Sequence, residues 1–594
     1  MYKSKNLIKF IRWRANNISD RFFLILLSII IGLLSGLAAF VLKKTVYNIE
    51  DLLFSYFDPN DQIYIFLFLP MVGIILTIIF IRYIIRDNVK HGVPRILYSI
   101  SKLDGSMKRH KVFSSIIGGS LTAGFGGSIG LESPIISTGA SIGSTLGQIF
   151  RLSYKHKTLL IGCGVSGAMA SIFTTPIAAV IFGFEVLLLD LGTASLIPLL
   201  IASVTGAVTT KMLLSEQFLV HFKVTQQFII SDIPFFIILG IATGFIAVYF
   251  HWAHFKIIRV FSNFKSIWLK AAIGGLLLGL LIFIFPPLYS EGYDSIRMIV
   301  SGNANQLMDH TFFSNNESIY VLVGFTIFLM LTKVLAASFT SEAGGIGGIF
   351  APAAVMGGFG GFALSRLLND VFPSLDLHEG NFTLIGMGSV LGGVLQAPLT
   401  AIFLIAEMSN GYEIIVPLML STSIAFLIAR KFNKHSIFHS QLLAQGLFVH
   451  YRDKSVLKNM KISDLVEKNV QTIKVDETLG SLIELVKTAK RNIFAVVDYN
   501  ETFIGIISLE EIRKDMFDKE KYDEPVTNYL YQMLEDEKVE LYSEIPEVIN
   551  KFNNTGNYNL IVVNGKKYIG VISKANTLKA YRDNLLQDET EDKG

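Results

Sequence analysis

One cysteine, Cys163, stands in a chain of 594 residues, so an intrachain disulfide is excluded and nothing requires an oxidising compartment. Charge is also scarce, at 17% of residues against 51% hydrophobic, and mean hydropathy is +0.50. A soluble globular chain does not have this balance, whereas a polytopic membrane protein does. The net charge of +4 is too small to point to a nucleic-acid partner. The histidines His435, His439 and His450 lack metal-ligand spacing, and no metal site is expected. From Thr158 to Thr210 the only full charges are Glu185 and Asp190, while beyond about Lys454 charged residues are dense. These contrasts predict an intramembrane body followed by a water-soluble tail.

What is abundant is apolar sequence. Phe22–Phe40 is the first long run, and at about 20 residues it is too long for a signal-peptide core. It follows Lys3, Lys5, Lys9, Arg12 and Arg14, which places the N-terminus in the cytoplasm by the positive-inside rule. Eight further apolar segments follow, several interrupted by Gly or Pro. Such interruptions suit helices that end within a membrane, where the freed backbone groups must face protein, ligand or water.

The sequence also repeats itself. GSIGLESP (Gly127–Pro134) aligns with GIGGIFAP (Gly345–Pro352), TPIAAVIFGFE with APLTAIFLIAE, and IGLLSGLAAF (Ile31–Phe40) with LGIATGFIAV (Leu239–Val248). The second pair sets Pro176 nine residues before Glu185, and Pro398 nine before Glu407. Two related halves with a site at their junction are predicted. Each octapeptide has glycines for close backbone approach and a proline suited to a helix's first turn. Helix starts carry unpartnered N–H groups and the positive end of the macrodipole, so two converging ends would hold an anion without lysine or arginine. Glu132 then reads as a tethered anion that blocks this site when ionised and leaves it when protonated. The second copy has Phe350 at that place, so the backbone shape does not demand an acid. Glu185 and Glu407 read as capping or pairing residues within the fold.

The tail holds a shorter repeat: FAVVDYNETFIGIISLEEI (Phe494–Ile512) matches NLIVVNGKKYIGVISKANTL (Asn559–Leu578). Each reads strand, turn, strand and helix start, a small α/β unit.

The motifs GLESP (Gly130–Pro134) and GGIFAP (Gly347–Pro352), with the two proline–glutamate segments, resemble the signatures of the CLC family of chloride channels and proton/chloride exchangers; the tail repeats resemble CBS domains. The resemblance implies a polytopic α-helical membrane protein with CLC-type inverted repeats and broken helices, plus a cytosolic α/β CBS pair. Segments 1–21 (cytosolic N-terminus), 22–448 (transport domain), 449–523 (linker and first CBS domain) and 524–594 (second CBS domain and C-terminus) follow. It implies a homodimer in a lipid bilayer with one pore per subunit, in a prokaryotic inner membrane, with the tail cytoplasmic. Glu132 takes the place of the gating glutamate. The N–H groups of Ile349 and Phe350 would line a central anion site, and Gly130 and Leu131 an outer one. Lys111 matches a basic residue often present in the family, or is a solvated helix-end lysine.

Three positions depart from the family pattern. KHGVP (Lys90–Pro94) puts His91 where a serine ligates the central anion, and HSIFHS puts Phe438 where a tyrosine does. Val186 replaces an internal proton-accepting glutamate, which favours a voltage- or pH-gated chloride channel; the alternative is a proton-coupled antiporter of chloride or another anion. No cofactor is required by this reading. In the tail, Ser508, Glu511, Ser573 and Asn576 occupy the positions that bind adenine nucleotide in CBS pairs, although neither copy has the usual Asp. A CBS-containing magnesium transporter is a remote alternative, disfavoured because amide donors repel a cation. An enzyme is excluded for want of a catalytic domain.

Overall fold

A computed structural model describes residues 9, 13–14, 16–56, 63–87, 92–187, 196–214, 222, 229–309, 311–314, 318–409, 412–444, 460–468, 470–489, 491–531, 533 and 537–591. The chain divides into two compact units between Val449 and His450.

The first unit is helical. Its first half comprises α1 (Asp20–Tyr56), α2 (Leu69–Ile79), α3 (Val93–Lys102), α4 (Lys111–Gly124), α5 (Glu132–Ile149), α6 (Tyr154–Phe173), α7 (Pro176–Glu185) and α8 (Leu196–Leu213). The second half runs in the same order: α9 (Ile233–Ser262), α10 (Ile267–Ile284), α11 (Tyr293–Val300), α12 (Ile319–Glu342), α13 (Phe350–Val371), α14 (Glu379–Leu395), α15 (Pro398–Met408) and α16 (Ile415–Phe432); α17 (Ile437–Ala444) follows. Among the described residues, seven helical segments are long and apolar enough to cross a membrane, while α7 and α15 are apolar but short. Packing repeats with the sequence: α5 lies on α6 as α13 lies on α14, and α1 on α8 as α9 on α16.

The helix crossings explain the glycines within α5 and α13. An added Cβ at Gly139 would overlap the Gly164 carbonyl oxygen, and at the matching Gly357 it would overlap that of Gly386. Backbones in contact need small residues at the crossing, and such contacts substitute for the hydrophobic drive that lipid cannot supply.

The short helices are capped across the two halves. Neither α7 nor α15 has a side-chain cap from its own N-cap residue, Thr175 or Ala397, and both begin with proline. Glu407, near the end of α15, accepts from the N–H groups of Ile177 (3.1 Å) and Ala178 (2.8 Å). Glu185, ending α7, accepts from the N–H groups of Leu399 (3.2 Å) and Thr400 (2.8 Å) and from the Thr400 hydroxyl (2.7 Å). A helix of 10 residues spans about 15 Å, so a glutamate at one end cannot cap its own start, and the cap must come from the other half. Capping is the role expected for both glutamates.

The second unit contains two like-built sheets, β1 (Thr472–Lys474), β2 (Ile493–Val497) and β3 (Phe503–Ser508), then β4 (Lys538–Glu540), β5 (Asn559–Asn564) and β6 (Lys567–Ser573). In each the first pair is parallel and the second antiparallel, with a register shift at Val496/Val497 and at the matching Val562/Val563. The sheets join through Phe503 N–H to the Lys566 carbonyl (2.9 Å), Tyr568 N–H to the Glu501 carbonyl (3.1 Å), stacked Phe503 and Tyr568 rings, and a core of Ile506, Ile561, Val563 and Val571.

Candidate functional site: two facing helix ends

The two octapeptides meet. Gly130 N–H donates to the Gly348 carbonyl at 2.9 Å and Gly348 N–H to the Gly130 carbonyl at 2.8 Å, an antiparallel bridge of one residue from each half. Proline falls at the third position of both following helices, Pro134 in α5 and Pro352 in α13. Neither helix start has a side-chain cap from its own N-cap residue, Leu131 or Ile349, so the first N–H groups are left to other partners.

Glu132 takes one of them. Its Oε1 accepts from Phe350 N–H at 2.9 Å, across the bridge, with the residue only 3% exposed. Its Oε2 has no hydrogen bond among the described residues. The glycines make room for it: a Cβ on Gly130 or Gly348 would collide with the carboxylate. Phe350 is held by a stacked Phe173 ring (5.6 Å) and an edge-on Phe182 (6.4 Å).

Glu132 lines a cavity of about 480 Å³ together with Ile349, Phe350, Phe438, His254 and Gln441. His254 is buried, with Nδ1 2.8 Å from Ser338 Oγ and Nε2 3.0 Å from Gln441 Nε2. The adjacent Leu131 lines a different cavity, of about 330 Å³, with Lys43, Glu50, Tyr289, Glu291 and Arg297. Consecutive residues Leu131 and Glu132 thus line different cavities.

Of the predicted residues, Glu132, Ile349, Phe350 and Phe438 converge on the first cavity and Leu131 on the second. The Gly130 N–H faces the Gly348 carbonyl instead of an ion, because the bridge uses it. His91 lies outside the described residues; Gly92 beside it donates its N–H to Ser137 Oγ at 3.1 Å. Lys111 is 4% exposed, against the solvated alternative, since α4 packs on α5 and α1; it lines neither cavity. Val186 is buried in the apolar core just beyond α7. Glu291, Lys333 and His254 were not found from the sequence, since none lies in a repeated motif.

The family profile described as "Voltage gated chloride channel" matches residues 73–430, more than half of the chain, and a CBS-domain profile matches residues 462–518. The chain belongs to the voltage-gated chloride channel family. As a CLC protein it is a membrane protein of anion transport. The H(+)/Cl(-) exchange transporter ClcA of Vibrio cholerae is 24% identical over 439 residues, covering 72% of this chain and 90% of that one. The protein of the same name from Salmonella typhi is 24% identical, covering 71% and 89%. Among solved CLC structures, a slow cyanobacterial Cl-/H+ antiporter has a TM-score of 0.61 at 22% identity, covering 73% of this chain and 99% of its own. A CLC-type fluoride/proton antiporter has a TM-score of 0.56 at 25% identity, covering 70% and 97%. A eukaryotic CLC transporter has 0.61 at 16% identity and covers 94% of this chain and 99% of its own.

In the tail, Ser508 and Glu511 form a capping box in which Ser508 N–H donates to the Glu511 carboxylate at 2.9 Å, and both line a cleft of about 640 Å³ with Arg491, Arg513 and Asn559. Ser573 and Asn576 lie outside that cleft: Ser573 Oγ accepts from Asn576 N–H at 3.2 Å, and Asn576 Nδ2 donates to Glu467 at 2.6 Å.

Proposed function

We propose that this CLC protein exchanges chloride for protons, with Glu132 as both gate and proton carrier. The observation that carries the reading is the Glu132 carboxylate on Phe350 N–H. A carboxylate and a mobile anion cannot share that donor. Anion entry therefore requires Glu132 to leave, and a proton that neutralises it weakens its hold on the amide. This competition couples the two ions. In this scheme Ile349 and Phe350 supply the central site, Leu131 supplies an outer one, and Phe438 narrows the mouth of the 480 Å³ cavity. His91 stands at the serine position of the central site. Weak amide donors suit an ion that must also depart. The relatives named as proton/chloride exchangers support this choice.

A channel is the second reading, favoured by Val186, which offers no proton-accepting group at the internal position. Magnesium transport is disfavoured by a site built from N–H donors. Purified protein in liposomes separates these readings: chloride efflux that drives proton uptake against a gradient supports exchange, and efflux without proton movement supports the channel. Glu132→Gln should abolish proton movement while chloride still passes. Proton movement at the wild-type rate in that variant would remove Glu132 from the mechanism. Fluoride should be tested beside chloride, because a relative at 25% identity is a fluoride/proton antiporter.

Each chain carries both octapeptides and so one complete pathway, and we place two such chains in a homodimer. The basic N-terminal leader and Arg430–Lys434 put both the N-terminus and the tail in the cytoplasm, the membrane being a prokaryotic inner membrane. The tail is read as a regulatory CBS pair whose cleft at Ser508 and Glu511 takes an adenine nucleotide; calorimetry with ATP and AMP on the full chain tests it.

A further inference from the structure

The Leu131 N–H, the donor of the second cavity, is already occupied. Glu291 Oε1 accepts from it at 3.0 Å. Glu291 belongs to the loop Tyr289–Gly292 that leads into α11, and that loop is fixed from behind. The fully buried Lys333 of α12 donates through Nζ to the carbonyls of Ser290 (3.1 Å) and Leu288 (3.4 Å) and to Ser128 Oγ (2.9 Å) in the first octapeptide. One ammonium thus ties the loop that carries Glu291 to the segment that Glu291 caps. Gly292, at φ +91°, sits where a Cβ would come within 3.1 Å of that same Nζ. A buried ammonium with three acceptors is a costly arrangement to maintain, and here it determines where one carboxylate points.

Each of the two facing helix starts therefore has one N–H taken by a carboxylate of the same chain. Glu132 reaches into the first cavity, to Phe350 N–H, while Glu291 arrives from the second, at Leu131 N–H. We propose that Glu291 is a second gating carboxylate, which competes with the permeating anion for the Leu131 amide and must swing into the 330 Å³ cavity before the anion can pass. This rests on the reading of the Glu132 pathway as the anion route. The charged groups that face Glu291 come from several elements: Lys43 and Glu50 of α1, Asp294 and Arg297 of α11, Lys333 of α12, and Glu132. Lys43 and Arg297, the latter paired with Asp294 at 2.7 Å, line the cavity into which the carboxylate would turn, beside the carboxyl of Glu50. A proton taken up on a Glu291 oxygen from the second-cavity side would remove the charge that holds the side chain to the amide and open the same route.

The test uses full-length protein in liposomes, with chloride efflux measured while the pH on the second-cavity side is lowered from about 7.5 to about 5, toward the carboxylate range. In Glu132→Gln, proton coupling is lost but chloride efflux should still rise about threefold or more on acidification, because Glu291 remains. Glu132→Gln with Glu291→Gln should pass chloride at a high rate that no longer responds to pH on that side. Glu291→Gln alone should exceed the wild-type rate about threefold at the higher pH while keeping proton exchange through Glu132. A flat pH profile in Glu132→Gln overturns the proposal and leaves the anion pathway standing, and so does a Glu291→Gln profile that superposes on wild type. Wild-type protein that passes no anion overturns both readings. If Glu291→Gln fails to fold, the Glu132→Gln profile decides alone.

Discussion

Replacing Glu407 by Ala should destabilise the membrane unit without touching ion movement. The carboxylate accepts from Ile177 and Ala178 N–H groups at the start of α7, which has no cap of its own. Removing it leaves two N–H groups at a half-buried helix end, each worth about 1 kcal/mol, for a total of about 2 kcal/mol. Glu407→Gln keeps an oxygen for one N–H but turns an NH2 group toward the other, so it should lose about half of that or slightly more. Glu185→Ala should cost somewhat more, about 3 kcal/mol, because Glu185 also accepts the Thr400 hydroxyl, and Thr400→Val should lose only the hydroxyl's share of about 1 kcal/mol. Thermal unfolding in detergent, followed by the loss of the monodisperse chromatographic peak, should fall by about 2–3 °C for each alanine variant. The two caps hold different helices, so the double variant should lose roughly the sum. Chloride efflux and proton coupling, measured below the transition, should match wild type. An unchanged melting temperature combined with lost proton coupling in Glu185→Ala would refute the reasoning and put that glutamate on a proton path.

Gly357→Ala should yield little folded protein, since its Cβ overlaps the Gly386 carbonyl, whereas Gly324→Ala in α12, with open space around it, should be neutral or stabilising by about 0.5–1 kcal/mol; chromatographic yield and melting temperature check both. Deletion after about Ser455 should leave chloride efflux intact and remove any nucleotide response, and lost transport in a truncated protein that still elutes as folded would make the tail essential to permeation. In the tail, the hydrogen bond from Lys521, with that from Tyr529, holds the Asp515 carboxyl below its ordinary range. The stability this gives is fully present above an ordinary aspartate pKa of about 3.9 and is lost as pH falls through the lowered folded value, so Asp515→Asn should speed hydrogen exchange around residues 515–529 at pH near 7.

Much of this was legible in the sequence because a duplicated chain prints its site twice. The octapeptides aligned without any structure, and the acid at Glu132 stood out against Phe350. The proline–glutamate spacing marked α7 and α15, but the spacing alone does not say which helix a glutamate caps; only helix length and the packing of α7 on α15 do. Glu291 was invisible for a different reason. It lies 160 residues from Leu131, in a polar-looking stretch LYSEGYD that belongs to no motif, and only the closing of the second half on the first brings it there. Lys333 sits alone in an apolar helix, where sequence cannot distinguish a buried tie from a group that extends to the lipid surface. Gly130 shows the reverse limit: a motif glycine that suggested an ion ligand is used for the junction of the halves.

That junction restricts how the protein can turn over. Many transporters with duplicated halves work by rocking one half against the other around a fixed site. Here the Gly130–Gly348 bridge clasps the two halves, and each rocking stroke that separated them would break two backbone hydrogen bonds. Rotating one glutamate side chain breaks a single bond to Phe350 and leaves the halves clasped. Under the proposed exchange reading, the cycle is a matter of side-chain rotors on a stationary frame, and its speed would be set by how often a carboxylate leaves an amide, not by how far two domains must travel.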